Sequence, residues 1–174
     1  KAFTSALLAT LVDEGKLTWD TRVSDVLPGF KLQDAYASSE MTVRDLLVHR
    51  SGLGLGAGDL LFYPPPSDRT RAEIVHSLRY IKPASSFRST FAYSNMMYLV
   101  AGEVIKAVGG ASWEEAVRQR IFAPLQMTSS TTSSLLPAGA NRAWPPPRLT
   151  TDMRGDGPAV ALAAPADIDI VGPP

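Results

Sequence analysis

A phenol and a carboxamide stand two residues apart in Tyr93-Ser94-Asn95. The tripeptide lies between an irregular Ser/Arg/Pro segment and the most apolar helical pattern of the chain, in which Met97, Val100, Ala101, Val104 and Val108 share one face. At the mouth of a buried helix these two side chains can be aimed into one cleft. Tyr serves as a general base once a neighbour favours its ionised form, and Asn both donates to a carbonyl and accepts from an amine. The plainer reading is a turn in which Asn caps the helix and Tyr packs. Both readings require a helix that starts directly after the tripeptide.

Few other groups offer chemistry. There is no cysteine, which excludes disulfides, thiolate metal sites and a Cys nucleophile. The two histidines, His49 and His76, are too far apart for a helical i, i+4 pair, so a His-based metal site has little to build on. Gly52-Leu53-Gly54-Leu55-Gly56-Ala57 formally spells a dinucleotide fingerprint. It follows a helical pattern rather than a strand and leads into Pro64-Pro65-Pro66, so the context that motif needs is missing. No cofactor is expected. Arg154-Gly155-Asp156 is a tripeptide read by some adhesion receptors, but one that arises readily by chance.

Bulk properties bound the partners. The 174 residues carry 17 Lys+Arg and 17 Asp+Glu, 45% of them are hydrophobic, and no charged block stands out. That balance argues for a globular domain and against nucleic acid as the main partner. The longest apolar runs are far too short to span a bilayer. Oligomeric state is not legible. With no initiator Met and no closing element after Val171-Gly172-Pro173-Pro174, the chain reads as a piece of something longer.

The elements that must position Tyr93 and Asn95 follow from periodicity and capping. Phe3, Leu7, Leu8, Leu11 and Val12 make the stripe of a helix over 2–14, with Gly15 placed to end it. A short turn around Val23, Val26 and Leu27 closes at Pro28-Gly29, and the polar run Lys31 to Glu40 reads as a surface loop. Three capping boxes open further helices: Thr42 with Asp45, Thr70 with Glu73, and Ser112 with Glu115. The first of these helices stops at Ser51-Gly52, and the last runs to Phe122. His76 lies on the second, at its surface or packed. No alternating strand is evident, so residues 1–127 are expected to form a mainly α unit. Residues 128–174, rich in Ser, Thr, Pro and Ala, read as an irregular extension with little surface to bury.

In order along the chain, these pieces resemble the β-lactamase-related serine hydrolases, the group of class C β-lactamases, DD-peptidases and esterases of the same fold. Lys1-Ala2-Phe3-Thr4-Ser5-Ala6-Leu7 resembles the run that begins at the lysine of the S-x-x-K motif. Leu11-Val12-Asp13-Glu14-Gly15-Lys16-Leu17, with Trp19-Asp20, is similar to the helix exit that follows. Thr42-Val43-Arg44-Asp45-Leu46-Leu47-Val48-His49-Arg50-Ser51-Gly52-Leu53 looks like the T-x-R-x-L-L-x-H-x-S-G-L signature. Tyr93-Ser94-Asn95 matches Y-x-N, and Pro124-Leu125-Gln126-Met127 matches P-L-G-M except at Gln126. The resemblance covers about residues 1–135.

It implies the helical region of the α+β β-lactamase/DD-peptidase-like fold, with most of the antiparallel sheet missing from this chain. The activity implied is acyl transfer to a serine three residues before Lys1, with hydrolysis of an ester, a β-lactam or a D-amino-acyl peptide. Lys1 and Tyr93 would be the catalytic base pair, since an ammonium beside a phenol favours phenolate. Asn95 would orient the substrate amide. Lys1 read by itself is also an ordinary solvated lysine. The stretch His49 to Gly52 is expected to be structural, under the site, and the Gly54 to Pro66 loop to lie near the cleft. The K-T-G or H-x-G strand element of the family has no counterpart here. Family members are often exported, which implies a periplasmic or secreted location that the residues themselves leave open. The rival from another class is a non-catalytic helical binding or assembly module that kept the fold.

Overall fold

The helix that begins with Asn95 is the axis of the molecule, and the others are laid around it. The computed structural model describes residues 1–62 and 67–132. The helices are α1 (Ala2–Asp13), α2 (Val23–Val26), α3 (Ala35–Glu40), α4 (Val43–Leu47), α5 (Arg71–Ser77), α6 (Asn95–Gly109) and α7 (Trp113–Val117). Single 3-10 turns cover Asp59–Phe62 and Leu78–Tyr80, and a π turn covers Arg118–Phe122. Among the described residues there is no strand, only an isolated antiparallel bridge between Arg22 and Thr42. The mainly α expectation holds there. The Pro64-Pro65-Pro66 run, Arg154-Gly155-Asp156 and nearly all of the 128–174 extension lie outside the described residues.

Helix α6 is apolar nearly all round: Met96 to Gly102, Val104 and Ile105 are all buried. Only a narrow strip at Glu103, Lys106 and Ala107 reaches solvent, so the rest of the helix must be covered. It is enclosed by α1, α2, α4, α5 and α7, each of which packs against it. From α1 come Leu7, Leu8 and Leu11, from α4 Val43 and Leu46, and from α5 Ile74 and Val75. Polar pins fix their relative positions. Trp113 Nε1 donates to the buried Thr4 Oγ1 at 3.0 Å, tying α7 to α1, and Arg71 pairs with Glu114, tying α5 to α7.

The helix ends follow from local chemistry. Gly15 (φ 68°) closes α1 in a Schellman arrangement: Lys16 N donates to Leu11 O at 3.0 Å and Gly15 N to Val12 O at 2.9 Å. Both halves of the capping box form at Thr42/Asp45 and at Thr70/Glu73. At the third expected box only Ser112 plays its part, because Glu115 is drawn away by Arg118 and Gln119.

Three other expectations are corrected. The stretch Lys31 to Glu40 is not all loop: Asp34 accepts from Tyr36 N and Ala37 N and opens α3. That helix shows no apolar period because Ala37 is its one buried residue. Helix α4 ends at Leu47 rather than at Ser51-Gly52, since His49 takes a left-handed conformation (φ 57°) that no helix continues through. Helix α7 passes into a π turn at Arg118, where Ala123 N reaches back to Arg118 O at 2.9 Å.

Candidate active site

Ser94, not Asn95, caps α6: its side chain accepts from Met97 N at 3.4 Å. The turn caps the helix, but not through Asn95 as the plainer reading has it, and the Asn95 carboxamide makes other contacts. Asn95 is the first residue of α6, and its Oδ1 accepts from Lys1 Nζ at 2.9 Å across 94 positions of chain. Lys1 stands immediately before α1. The N-termini of the two central helices thus meet at one point. Both macrodipoles add positive potential there, which favours negative charge at the same spot.

Lys1 Nζ also lies over two aromatic faces, 4.9 Å from the Tyr93 ring centroid and 5.1 Å from that of Tyr98. Contacts at this range are cation–π attractions. All three residues predicted from the sequence, Lys1, Tyr93 and Asn95, are brought together. Tyr93 is 41% exposed, so its phenol faces the open side of the cluster. Tyr98 is buried and donates from its hydroxyl to Leu47 O at 3.1 Å, which makes it part of the wall.

His49 supports the cluster from beneath. Its Nδ1 accepts from Ser94 N at 3.1 Å, so Nε2 carries the proton of the neutral ring. The ring is tilted by 32° against Tyr93 at 4.8 Å and by 33° against Tyr98 at 5.4 Å, and meets Phe91 edge-on at 5.5 Å. Burial, and secondly the Lys1 ammonium, hold its pKa below the usual histidine value. A neutral His49 is the form that accepts from Ser94. The expectation of a structural role under the site agrees with these contacts.

The loop after Leu53 reaches the site as expected, through a residue the sequence did not single out. Asn95 Nδ2 donates to Asp59 Oδ2 at 3.2 Å. The carboxamide is thus gripped at both ends, by an ammonium on its oxygen and a carboxylate on its nitrogen. Asp59 follows Gly58 in the loop suspected of shaping the cleft, and that neighbourhood was the one signal it left in the sequence.

The same geometry explains the signature residues around it. Gly52 has φ 91°, and a Cβ there would sit 2.9 Å from Ser85 O. Its own carbonyl accepts from Ala84 N at 2.9 Å. Arg88 forks onto Asp45, Nε to Oδ1 at 2.9 Å and Nη2 to Oδ2 at 2.6 Å, and also reaches Glu40 O at 3.1 Å. Burial pushes the Asp45 carboxyl up, but Arg88 and Thr42 together hold it below the usual value. These bonds fasten the segment leading into Tyr93 onto α4.

The beta-lactamase family profile matches residues 1–168. This chain belongs to the beta-lactamase family. It is 35% identical over 132 residues to penicillin-binding protein 4 of Amycolatopsis lactamdurans, covering 76% of this chain and 34% of that protein. Among solved structures, a D-stereospecific amidohydrolase from Streptomyces sp. superposes with a TM-score of 0.67 at 29% identity, over 81% of this chain and 45% of that one. A D-amino acid amidase from Ochrobactrum anthropi SV3, complexed with L-phenylalanine, does so with a TM-score of 0.58 at 31% identity, over 71% and 33%. The chain therefore spans about a third of its curated relative's length. Membership agrees with the resemblance read from the motifs, and no helix among the described residues is long and apolar enough to cross a membrane.

Proposed function

We propose that the protein carrying this chain is a serine hydrolase working through an acyl-enzyme, with Lys1 and Tyr93 as its base pair and Asn95 as the group that orients the substrate amide. The observation that carries this reading is the convergence of Lys1 on Asn95 at 2.9 Å, 94 positions away, and on the Tyr93 ring at 4.9 Å. The hydroxyl of a serine three residues before Lys1 attacks the substrate carbonyl. Its proton passes to the Lys1/Tyr93 pair, and the same pair returns it to the leaving amine or alcohol as the acyl-enzyme forms. Water then attacks the ester with the pair as base, releasing the acid and regenerating the serine.

The substrate is an ester, a β-lactam or a D-amino-acyl peptide or amide. Similarity to a D-stereospecific amidohydrolase and a D-amino acid amidase favours the amide of a D-configured residue. Residues 1–127 form the helical unit that bears the site, and 128–174 form an extension from it. The described helices all end by Phe122, in keeping with that division. An exported location, periplasmic or secreted, fits similarity to a bacterial penicillin-binding protein.

Tyr93→Phe in the whole protein tests the reading. General-base losses run to about 100-fold or more. Turnover of an activated ester is expected to fall by that order while the thermal midpoint stays put. Near-normal turnover would remove Tyr93 from the mechanism.

A further inference from the structure

A carboxamide is nearly symmetric in shape, and a half-turn about its last bond exchanges an acceptor for a donor. Asn95 is useful in one of the two orientations only. With Oδ1 toward Lys1 it receives the ammonium; with the amino group there, donor faces donor. We infer that Asp59 is a positioning residue that locks the Asn95 carboxamide in this orientation and, through it, holds the Lys1 ammonium. The inference rests on the proposed reading of Lys1, Tyr93 and Asn95.

Three observations support it. Asp59 Oδ2 accepts from Asn95 Nδ2 at 3.2 Å, and a carboxylate, having no proton to give, accepts only the amino end. Reversing Asn95 would therefore set donor against ammonium on one side and acceptor against carboxylate on the other.

The loop that carries Asp59 is seated on the same helical turn. Gly58 has φ 90°, and a Cβ there would lie 2.7 Å from Met96 Cγ, so the loop backbone rests on the residue next to Asn95. Asp59 N donates to Gly56 O at 3.0 Å and Leu61 N to Gly58 O at 2.9 Å, while Phe62 buries its ring behind them.

The third observation is energetic. Asp59 Oδ1 is buried without a hydrogen-bond partner. No ion pair involves Asp59 among the described residues, where seven others form. An unsatisfied buried oxygen costs stability. A residue kept only for the fold would not be a half-satisfied acid; one kept to orient Asn95 needs a charged acceptor at that place.

The test is a double-mutant cycle in the whole protein, read as kcat/KM for an amide or ester substrate together with the thermal midpoint. Misplacing a positioned group costs roughly 10- to 100-fold. Asp59→Ala is expected to lower kcat/KM by about that factor, chiefly in kcat, with the thermal midpoint unchanged or raised. Asn95→Ala is expected to lose at least as much, and the double variant no more than Asn95→Ala alone.

Should Asp59→Ala fail to fold, Asp59→Asn keeps the shape and one acceptor but no longer dictates which way Asn95 turns. It is expected to show a smaller loss with the same non-additivity. If Asn95→Ala impairs turnover while Asp59→Ala does not, or if the two losses multiply, Asp59 is not acting through Asn95 and the inference fails. If Asn95→Ala itself turns over normally, the failure is of the proposed site instead.

Discussion

His49 combines a left-handed backbone, an acceptor role toward Ser94 N and a pKa held down by burial and by Lys1. Because its pKa is lower folded than unfolded, the unfolded chain binds the extra proton first as pH falls below about 6.5. Stability therefore declines with acidification from that point, and His49 contributes no slope above it. His49→Asn removes the titration, while Asn Oδ1 stands near the place of Nδ1 and tolerates a positive φ. Thermal midpoints measured from pH 7 to pH 5 should fall less steeply in His49→Asn than in the parent; identical slopes would show that His49 does not titrate through folding. Gln126 is the other residue whose conformation is informative. It stands where the family motif has Gly, and with φ 54° it occupies backbone space that Gly enters freely. The departure from P-L-G-M is one of residue type, at a backbone conformation that Gly adopts without strain.

At the scale of elements, the segment from Gly52 to Tyr93 works as a cradle for the start of α6. Gly52 is its least yielding point, because a side chain there meets backbone, whereas one at Gly58 meets the movable side chain of Met96. Gly52→Ala should cost about 1–3 kcal/mol from the backbone conformation alone. Gly29→Ala, exposed with nothing within 4 Å of the added carbon, should be near neutral. Equal midpoints for both variants would mean that the cradle yields to a Cβ at Gly52. The elements legible in the sequence were those with local causes. Thr42/Asp45 and Thr70/Glu73 are three residues apart and complete both halves of their boxes, and Gly15 ends α1 for reasons confined to one turn. What was missed depended on partners far away or on a missing period. Helix α3 carries one buried residue and so shows no stripe. Glu115 had competitors on its own helix. Asp59 is defined by Asn95, 36 positions on, and no local pattern announces a contact of that range.

At the scale of the whole molecule, one buried helix carries the account. Helix α6 is held by α1, α2, α4, α5 and α7 over all but a strip at Glu103, Lys106 and Ala107, and its first turn presents Asn95 to Lys1 at the head of α1. Two rigid helices meeting at their N-termini give the site a fixed geometry and a positive potential that a loop would not supply. The ordered motifs made the family readable, and the profile match over residues 1–168 agrees. The grip of Asp59 and the capping by Ser94 became visible only in three dimensions, whereas the support expected of His49 takes the form of a hydrogen bond from Ser94 N. The central claim is that Lys1, Tyr93 and Asn95 serve a serine at the third position before Lys1. Its most direct test treats the whole protein with a slowly released acylating β-lactam and maps the adduct by peptide mass spectrometry. The account predicts one acyl group, on that serine, with its formation slowed about 100-fold or more by Tyr93→Phe. An adduct on any other residue, or acylation at an unchanged rate in Tyr93→Phe, would contradict it.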